Sequence, residues 1–99
     1  MLPDLTNPQI RKLKALGQRL DPVLVLGRNG VSEAFVKSLN EALDQHELVK
    51  IKFGDFKDQK KILAPQLAEK SLSHLVQRVG NVAVLYREQP APERRKISF

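Results

Sequence analysis

The sequence predicts one α/β domain with a four-stranded mixed sheet, in the order α-β-α-β-α-β-β. Three segments have apolar residues at the spacing of amphipathic helices, and the first two are each followed by a short strand-like run. A last pair of apolar runs flanks Gly80-Asn81 and indicates a β-hairpin. Alternating helices and strands are typical of α/β domains, and the hairpin supplies the antiparallel part of the sheet. The 99 residues are enough for one such domain.

The first helix is predicted to begin at Asn7-Pro8, because Asn can cap a helix and Pro fits its first turn. Its apolar residues recur at helical spacing: Ile10, Leu13 and Leu16. Gly17 marks its expected end. Pro22 then permits only an edge strand or a strand start, and residues 23–26 are all apolar. Such an uninterrupted run predicts a strand that is covered on both faces.

The second helix and the second strand follow a glycine-containing segment. Apolar residues recur at every fourth position: Val31, Phe35, Leu39 and Leu43. This pattern predicts an amphipathic helix that ends near residues 45–46. The strand expected at residues 48–53 then alternates apolar residues with lysines, so one of its faces is predicted to be buried. Lys50 and Lys52 are expected to share the other face.

A third helix is predicted for residues 58–72. Its apolar members are Ile62, Leu63, Leu67, Ala68 and Leu72. Pro65 lies inside this segment and predicts a kink or a later start. The hairpin strands are expected at residues 75–79 and 82–86, and a glycine at the first position of the two-residue loop suits a type II′ turn.

The composition changes after residue 88. Two prolines and a charged run, Glu93-Arg94-Arg95-Lys96, replace the regular apolar pattern. Residues 1–88 are therefore predicted to form the domain, and residues 89–99 to form a basic, flexible tail. Ile97 and Phe99 are its candidate anchors.

Charge and composition limit the kinds of partner and binding site that this chain can have. The chain has 17 Lys and Arg against 11 Asp and Glu, a net charge of +6, which attracts polyanions such as nucleic acid. It has no cysteine, which excludes disulfides and thiolate metal sites. No signal-peptide pattern opens the chain, and no apolar run is long enough to span a bilayer. We therefore expect a soluble, cytoplasmic protein with no membrane partner.

The common catalytic motifs are missing from this sequence. It has no G-x-S-x-G elbow, P-loop or H-E-x-x-H pattern. The two histidines, His46 and His74, are not at metal-ligand spacing. Asp55 and Asp58 flank a turn and are more simply explained as turn formers and helix caps. We therefore expect that the protein is not an enzyme and that it binds no metal and no cofactor. A small hydrolase of phosphate or acyl groups is the enzymatic alternative.

The segment Gly27-Arg28-Asn29-Gly30 is a G-x-x-G loop between a predicted strand and a predicted helix. Glycine lacks Cβ, so its backbone can take positive φ and approach a ligand closely. The start of the helix would present unpaired N–H groups and a positive dipole to phosphate. Arg28 adds a fork of donors for phosphate oxygens, and Asn29 can hydrogen-bond to a sugar or a base edge. The alternative is a tight turn with no ligand, in which Gly and Asn are common.

Further cations extend this candidate surface. They lie on the first helix and on the second strand: Arg11, Lys12, Lys14, Lys50 and Lys52. The alternative for each group is a solvated face without a partner. Few residues are aromatic, with Tyr86 as a single candidate for base stacking, so recognition of phosphates and shape is favoured.

Three ordered motifs resemble the CRM domain, in particular the stand-alone bacterial YhbY type: "IRKLKALGQRLDPVLVLGRNG", "LVKIKF" and "VGNVAVLYR". The resemblance implies a fold like the C-terminal domain of translation initiation factor 3. It implies RNA binding through the G-x-x-G loop and the basic first helix, and association with precursors of the large ribosomal subunit. Gly27 and Gly30 match the loop glycines, and Arg28 and Asn29 occupy its variable centre. Pro65 departs from the family pattern.

Together these observations predict a non-enzymatic, monomeric RNA-binding protein that assists assembly of the large ribosomal subunit. Its partner is expected to be ribosomal RNA of the large-subunit precursor. Three alternatives stay open: a small-subunit partner of the initiation-factor type, a protein-interaction adaptor, and the small hydrolase.

Overall fold

The computed structural model describes residues 3–99 and confirms the predicted fold class. Its helices are α1 (Asn7–Gln18), α2 (Glu33–His46) and α3 (Lys60–Lys70). Its strands are β1 (Leu24–Leu26), β2 (Leu48–Phe53), β3 (His74–Val79) and β4 (Val82–Tyr86). Short 3-10 turns lie at Lys57–Gln59 and Pro92–Arg94. None of the helices in residues 3–99 combines the length and the apolarity that crossing a membrane requires.

The four strands form one mixed sheet in the spatial order β1-β2-β4-β3. β1 and β2 are parallel, and Leu26 pairs with Phe53 at one end of the sheet. The other two pairings are antiparallel. The predicted hairpin is confirmed, because Val79 pairs with Val82 across Gly80, whose φ of 55° suits the first position of a type II′ turn.

Two cores lie on opposite faces of the sheet. α1 packs on one face, where the buried residues are Leu13, Leu48, Val76, Val84 and Tyr86. α2 and α3 pack on the other face, in a larger core that contains Leu39, Leu43, Ala64 and Leu67. The alternation predicted for β2 is confirmed, since Val49, Ile51 and Phe53 are buried in this larger core. Lys50 and Lys52 therefore lie on the face that α1 shares.

The starts of α1 and α2 are set by hydroxyl caps. Thr6 caps α1: its Oγ1 accepts from the N–H of Gln9 at 3.3 Å, and Gln9 Oε1 accepts from the N–H of Thr6 at 2.9 Å. Asn7, which the sequence predicted as the cap, is the first helical residue. Ser32 caps α2, and its Oγ accepts from the N–H of Phe35 at 3.1 Å.

The prediction that the first strand is covered on both faces was wrong. β1 is an edge strand, and Val25 is 58% exposed although Leu26 is buried in the α2–α3 core. Strand alternation turns Val25 towards the α1 face. α1 packs against β2, β3 and β4, so it leaves β1 uncovered on that face.

The third helix is shorter than predicted. The 3-10 turn at Lys57–Gln59 precedes α3, which ends at Lys70 and contains the exposed Pro65. Ile62 and Leu72 were expected in the apolar face but are 63% and 67% exposed. Leu72 lies beyond the helix in a left-handed conformation, with φ of 51°. The packed residues of α3 are instead Leu63, Ala64, Leu67 and Ala68.

Part of the C-terminal tail lies against the domain. The buried carboxylate of Glu47 accepts from the backbone N–H of Gln89 at 2.9 Å and of Ile97 at 3.1 Å. Ile97 also packs against the α1 core, as expected for an anchor. The mobility of residues 89–99 and a domain boundary at residue 88 stay predictions.

Candidate nucleic-acid interface

The G-x-x-G loop is a closed turn between β1 and α2. The N–H of Gly30 donates to the carbonyl of Gly27 at 3.0 Å, and the N–H of Ser32 donates to the carbonyl of Gly30 at 2.9 Å. The loop therefore leads directly into the Ser32 cap of α2. This placement agrees with the strand–loop–helix order that the sequence predicted.

The two loop glycines have different roles. A Cβ on Gly27 would have no heavy atom within 4 Å, so this side of the backbone faces open space. Gly30 has φ of 64°, and a Cβ there would lie 3.3 Å from Cε2 of Phe56. Gly30 is thus required by the local fold, whereas Gly27 leaves room for a ligand to approach the backbone.

The tip of the loop is exposed and has donors available. Arg28 and Asn29 are both exposed, and within residues 3–99 neither side chain forms a hydrogen bond or a salt bridge. Glu33 lies in the first turn of α2. Its negative charge interacts favourably with the positive end of the helix dipole and repels a second anion at the same place. The dipole of α2 is thus already partly compensated by Glu33, and the exposed guanidinium of Arg28 is the cationic group of the loop.

Lys52 lies at the same end of the sheet as the loop. It pairs with Val25, two residues before Gly27. The following turn is held to β1, since the N–H groups of Gly54 and Asp55 both donate to the carbonyl of Leu26 at 3.0 Å. Lys52 and the loop therefore lie at the same end of the sheet.

Lys50 is positioned differently from Lys52. It is half-buried, and its Nζ donates to the carbonyl of Leu20 at 3.1 Å in the connection between α1 and β1. One donor of its ammonium group is therefore occupied by a hydrogen bond within the protein.

The cations of α1 lie towards the other end of the sheet. Lys12 lies 5.9 Å from the centroid of the Phe99 ring, which is edge-on to Tyr86, and Tyr86 pairs with Leu48 at the start of β2. The loop follows Leu26, which pairs with Phe53 at the other end of β2. Five residue steps along β2 correspond to roughly 17 Å. The predicted contacts therefore form two groups, with Arg11, Lys12 and Lys14 in the group on α1.

Lys12 is already engaged by the tail. Its Nζ donates to the backbone carbonyl of Ser98 and lies 5.9 Å from the centroid of the Phe99 ring. Arg11 and Lys14 are exposed on the same helix.

Two further lysines at the same end of the sheet as the loop were not among the residues that the sequence predicted. Lys57 is exposed in the 3-10 turn that follows Phe56, the residue that contacts Gly30. Lys60 donates from Nζ to Oδ1 of Asn81 at 3.1 Å, which places it beside the β3–β4 turn. The signal that could have found them is the lysine-rich stretch directly after the Gly54-Asp55 turn.

Tyr86 is not available for base stacking. It is only 2% exposed, with its ring 6.3 Å from that of His74 and edge-on to Phe99 at 6.0 Å. Burial, assisted by the charges of Glu47 and Glu88, raises the pKa of Tyr86 to about 12. Its role is in the α1 core.

The two histidines lie apart from each other. His46 ends α2 and is exposed, whereas His74 begins β3 and is half-buried. Burial lowers the pKa of His74 below 6.5, and the nearby charge of Asp4 opposes this shift. In the part of the chain that the structure describes, no three His, Asp or Glu side chains are grouped to hold a metal ion.

The CRS1/YhbY (CRM) domain model matches residues 5–87. The chain belongs to this family. A probable RNA-binding protein of Pseudomonas aeruginosa is 37% identical over 91 residues, which are 91% of this chain and 88% of the relative. An RNA-binding protein of Haemophilus influenzae is 34% identical over 84% of this chain and 85% of its own. The solution structure of a Staphylococcus aureus protein superposes with a TM-score of 0.77 at 34% identity, over 96% of this chain and all of the other. The CRM fold predicted from the three motifs is thus confirmed.

Proposed function

We propose that this protein binds RNA through a surface centred on the Gly27–Gly30 loop. The observation that supports it best is the geometry of the loop, where the open backbone at Gly27 adjoins the exposed side chain of Arg28. Lys52 lies at the same end of the sheet. Relatives that are named as RNA-binding proteins support RNA as the ligand.

Phosphate contacts are expected to supply most of the affinity. The guanidinium of Arg28 can hold two phosphate oxygens at once, while Lys52 provides a point charge. Each phosphate that the protein neutralises releases counterions, so the affinity should fall steeply with salt. Lys12 of α1 lies near the opposite end of β2, and the strand is roughly 17 Å long, so a ligand that contacts both Lys12 and the loop must be an extended polyanion.

We further infer that the RNA is structured ribosomal RNA in a precursor of the large subunit. In this role the protein is a non-enzymatic, monomeric assembly factor of the cytoplasm. The net charge of +6 and the two separated cationic groups support a folded RNA that presents phosphates at more than one place. The likeness of the three sequence motifs to stand-alone YhbY-type proteins supports the ribosomal assignment.

Sedimentation of cell extract through a sucrose gradient tests this proposal. The wild-type protein is expected in fractions that contain large-subunit precursors, and a Gly27→Asp variant is expected at the top of the gradient. A Gly27→Ala variant is the matched control, because it adds a Cβ without charge. Wild-type protein that stays at the top in low salt would contradict the ribosomal role, and protein in small-subunit fractions would favour an initiation-factor-like role instead.

A further inference from the structure

The α1 face of the sheet has an uncovered row of side chains beside the loop. Val25 of β1 pairs with Lys52 of β2, Lys52 pairs with Val82 of β4, and Val82 pairs with Val79 of β3. Paired residues project from the same face, so these four side chains cross the whole sheet as one line. We call this line the open row. Four strands at their usual separation give it a length of roughly 14 Å.

The open row is exposed because α1 ends before it. Gly17 contacts Val84 in the neighbouring row, where a Cβ on the glycine would lie 3.1 Å from Val84 Cγ1. Beyond this contact, Val25 and Val79 are 58% and 55% exposed. A groove of about 160 Å³ connects the end of α1 to the row, and Gln18 and Gln77 contribute to its walls.

We propose that the open row is a platform for unpaired bases of the RNA whose phosphates the Gly27–Gly30 loop holds. This inference rests on the proposed function. The platform adjoins the loop, because Val25 is two residues before Gly27 and one of its methyl groups would lie 2.9 Å from a Cβ on Gly54. A strand of RNA that passes the loop therefore meets the row next.

The charge of the row favours RNA over an apolar partner. Lys52 lies in its middle, and Lys50 lies in the next row, paired with Val84. Neither row contains an acidic residue. A second copy of this chain, docked face to face, would bring the same lysines together, whereas a polyanion neutralises them.

The chemistry of the row suits unpaired nucleotides and not a duplex. The flat faces of bases lose contact with water when they lie on valine methyl groups, and this contact is tolerant of sequence. A duplex keeps those faces stacked inside except at its two ends, so along its length it offers the row only its backbone and base edges. The protein should therefore prefer single-stranded RNA to a duplex of the same sequence.

Fluorescence anisotropy tests the platform with three probes: a short unstructured RNA, its blunt-ended duplex, and the same single strand with abasic sites. The variant combines Val25→Thr and Val79→Thr, which keep the β-branched shape and replace one methyl group by a hydroxyl at each site. It is expected to bind the intact single strand roughly tenfold more weakly, from two lost methyl contacts. Its affinity for the duplex and the abasic strand should match the wild type. Ile62→Thr, on the exposed side of α3, is the control.

The outcomes separate the platform from the loop. An unchanged affinity of the double variant for the single strand, together with a loss in Arg28→Ala, would overturn the platform and leave the loop in place. An equal loss of affinity for the duplex would also overturn the platform, because the effect of the valines would then not depend on unpaired bases. A wild type that binds none of the probes would overturn both proposals. A wild-type dimer that becomes a monomer in the double variant would assign the row to self-association instead.

Discussion

Replacement of Gly27 by Asp is the most direct perturbation of the loop. The site has no heavy atom within 4 Å of a Cβ and lies outside the left-handed region, so the fold should tolerate the side chain. We expect the free energy of unfolding to change by less than about 0.5 kcal/mol. The corresponding change at Gly30 would combine positive φ with contact to Phe56 and is expected to cost about 1–2 kcal/mol. Gly27 is therefore the position that separates binding from stability.

The size of the expected loss of RNA affinity follows from the charge that Asp introduces. A carboxylate about 4 Å from a phosphate is repelled by about 1 kcal/mol at the dielectric constant of water and about 4 kcal/mol at the effective value near a protein surface. A difference of about 1.4 kcal/mol is a factor of ten in affinity. We therefore expect Gly27→Asp to weaken RNA binding by roughly fivefold to several hundredfold at low salt.

Anisotropy titrations at several salt concentrations, with urea unfolding of the same samples, measure both effects. The loss should shrink as salt increases, because screening weakens an exposed repulsion. Gly27→Ala should retain most of the affinity if charge is the cause, and lose it if the close approach of backbone to backbone is the cause. An affinity of Gly27→Asp equal to that of the wild type, in a folded protein, would refute the assignment of the loop.

The other predictions concern separate parts of the molecule. Lys52→Ala should weaken RNA binding and reduce the slope of log affinity against log salt by about 0.7–0.9, and an unchanged slope would remove Lys52 from the interface. Glu47→Gln should lower the free energy of unfolding in urea by about 2 kcal/mol, because an amide cannot replace both carboxylate acceptors of the tail; a loss below about 0.5 kcal/mol would contradict this role. Burial lowers the pKa of folded His74, so the unfolded chain binds more protons and stability should fall as pH drops through 6.5. Melting temperatures of the wild type and His74→Gln across this range test it, and parallel curves would contradict it.

The order of the elements could be predicted because it depends on local pattern. Apolar residues at every fourth position from Val31 to Leu43 show which face of α2 is buried. Apolar residues that alternate with lysines show the same for β2. The hairpin could be predicted from the two-residue turn Gly80-Asn81, because Gly80 supplies the positive φ that the turn requires. Each of these signals lies within about a dozen residues of chain.

The features that were missed depend on residues far apart in sequence. Pro22 allowed an edge strand, but the apolar run cannot show that one face of β1 is uncovered, because this depends on α1 packing over β2, β3 and β4. Nor can it show that Glu47 holds the backbone of Ile97, fifty residues later. The two loop glycines look alike in sequence, and only the contact of Gly30 with Phe56 distinguishes them. The structure therefore separates two glycines that the sequence could not distinguish, and the binding role of the loop stays a prediction.

The tail changes how the cations of α1 should be ranked. RNA that contacts Lys12 must first displace the carbonyl of Ser98 and the ring of Phe99 from its ammonium group. Part of the gain from a phosphate contact is then offset by the loss of these intramolecular contacts. Arg11 and Lys14 are exposed on the same helix, and no such exchange is required of them in the described residues. Their replacement by Ala should therefore reduce RNA affinity more than Lys12→Ala, although all three carry the same charge.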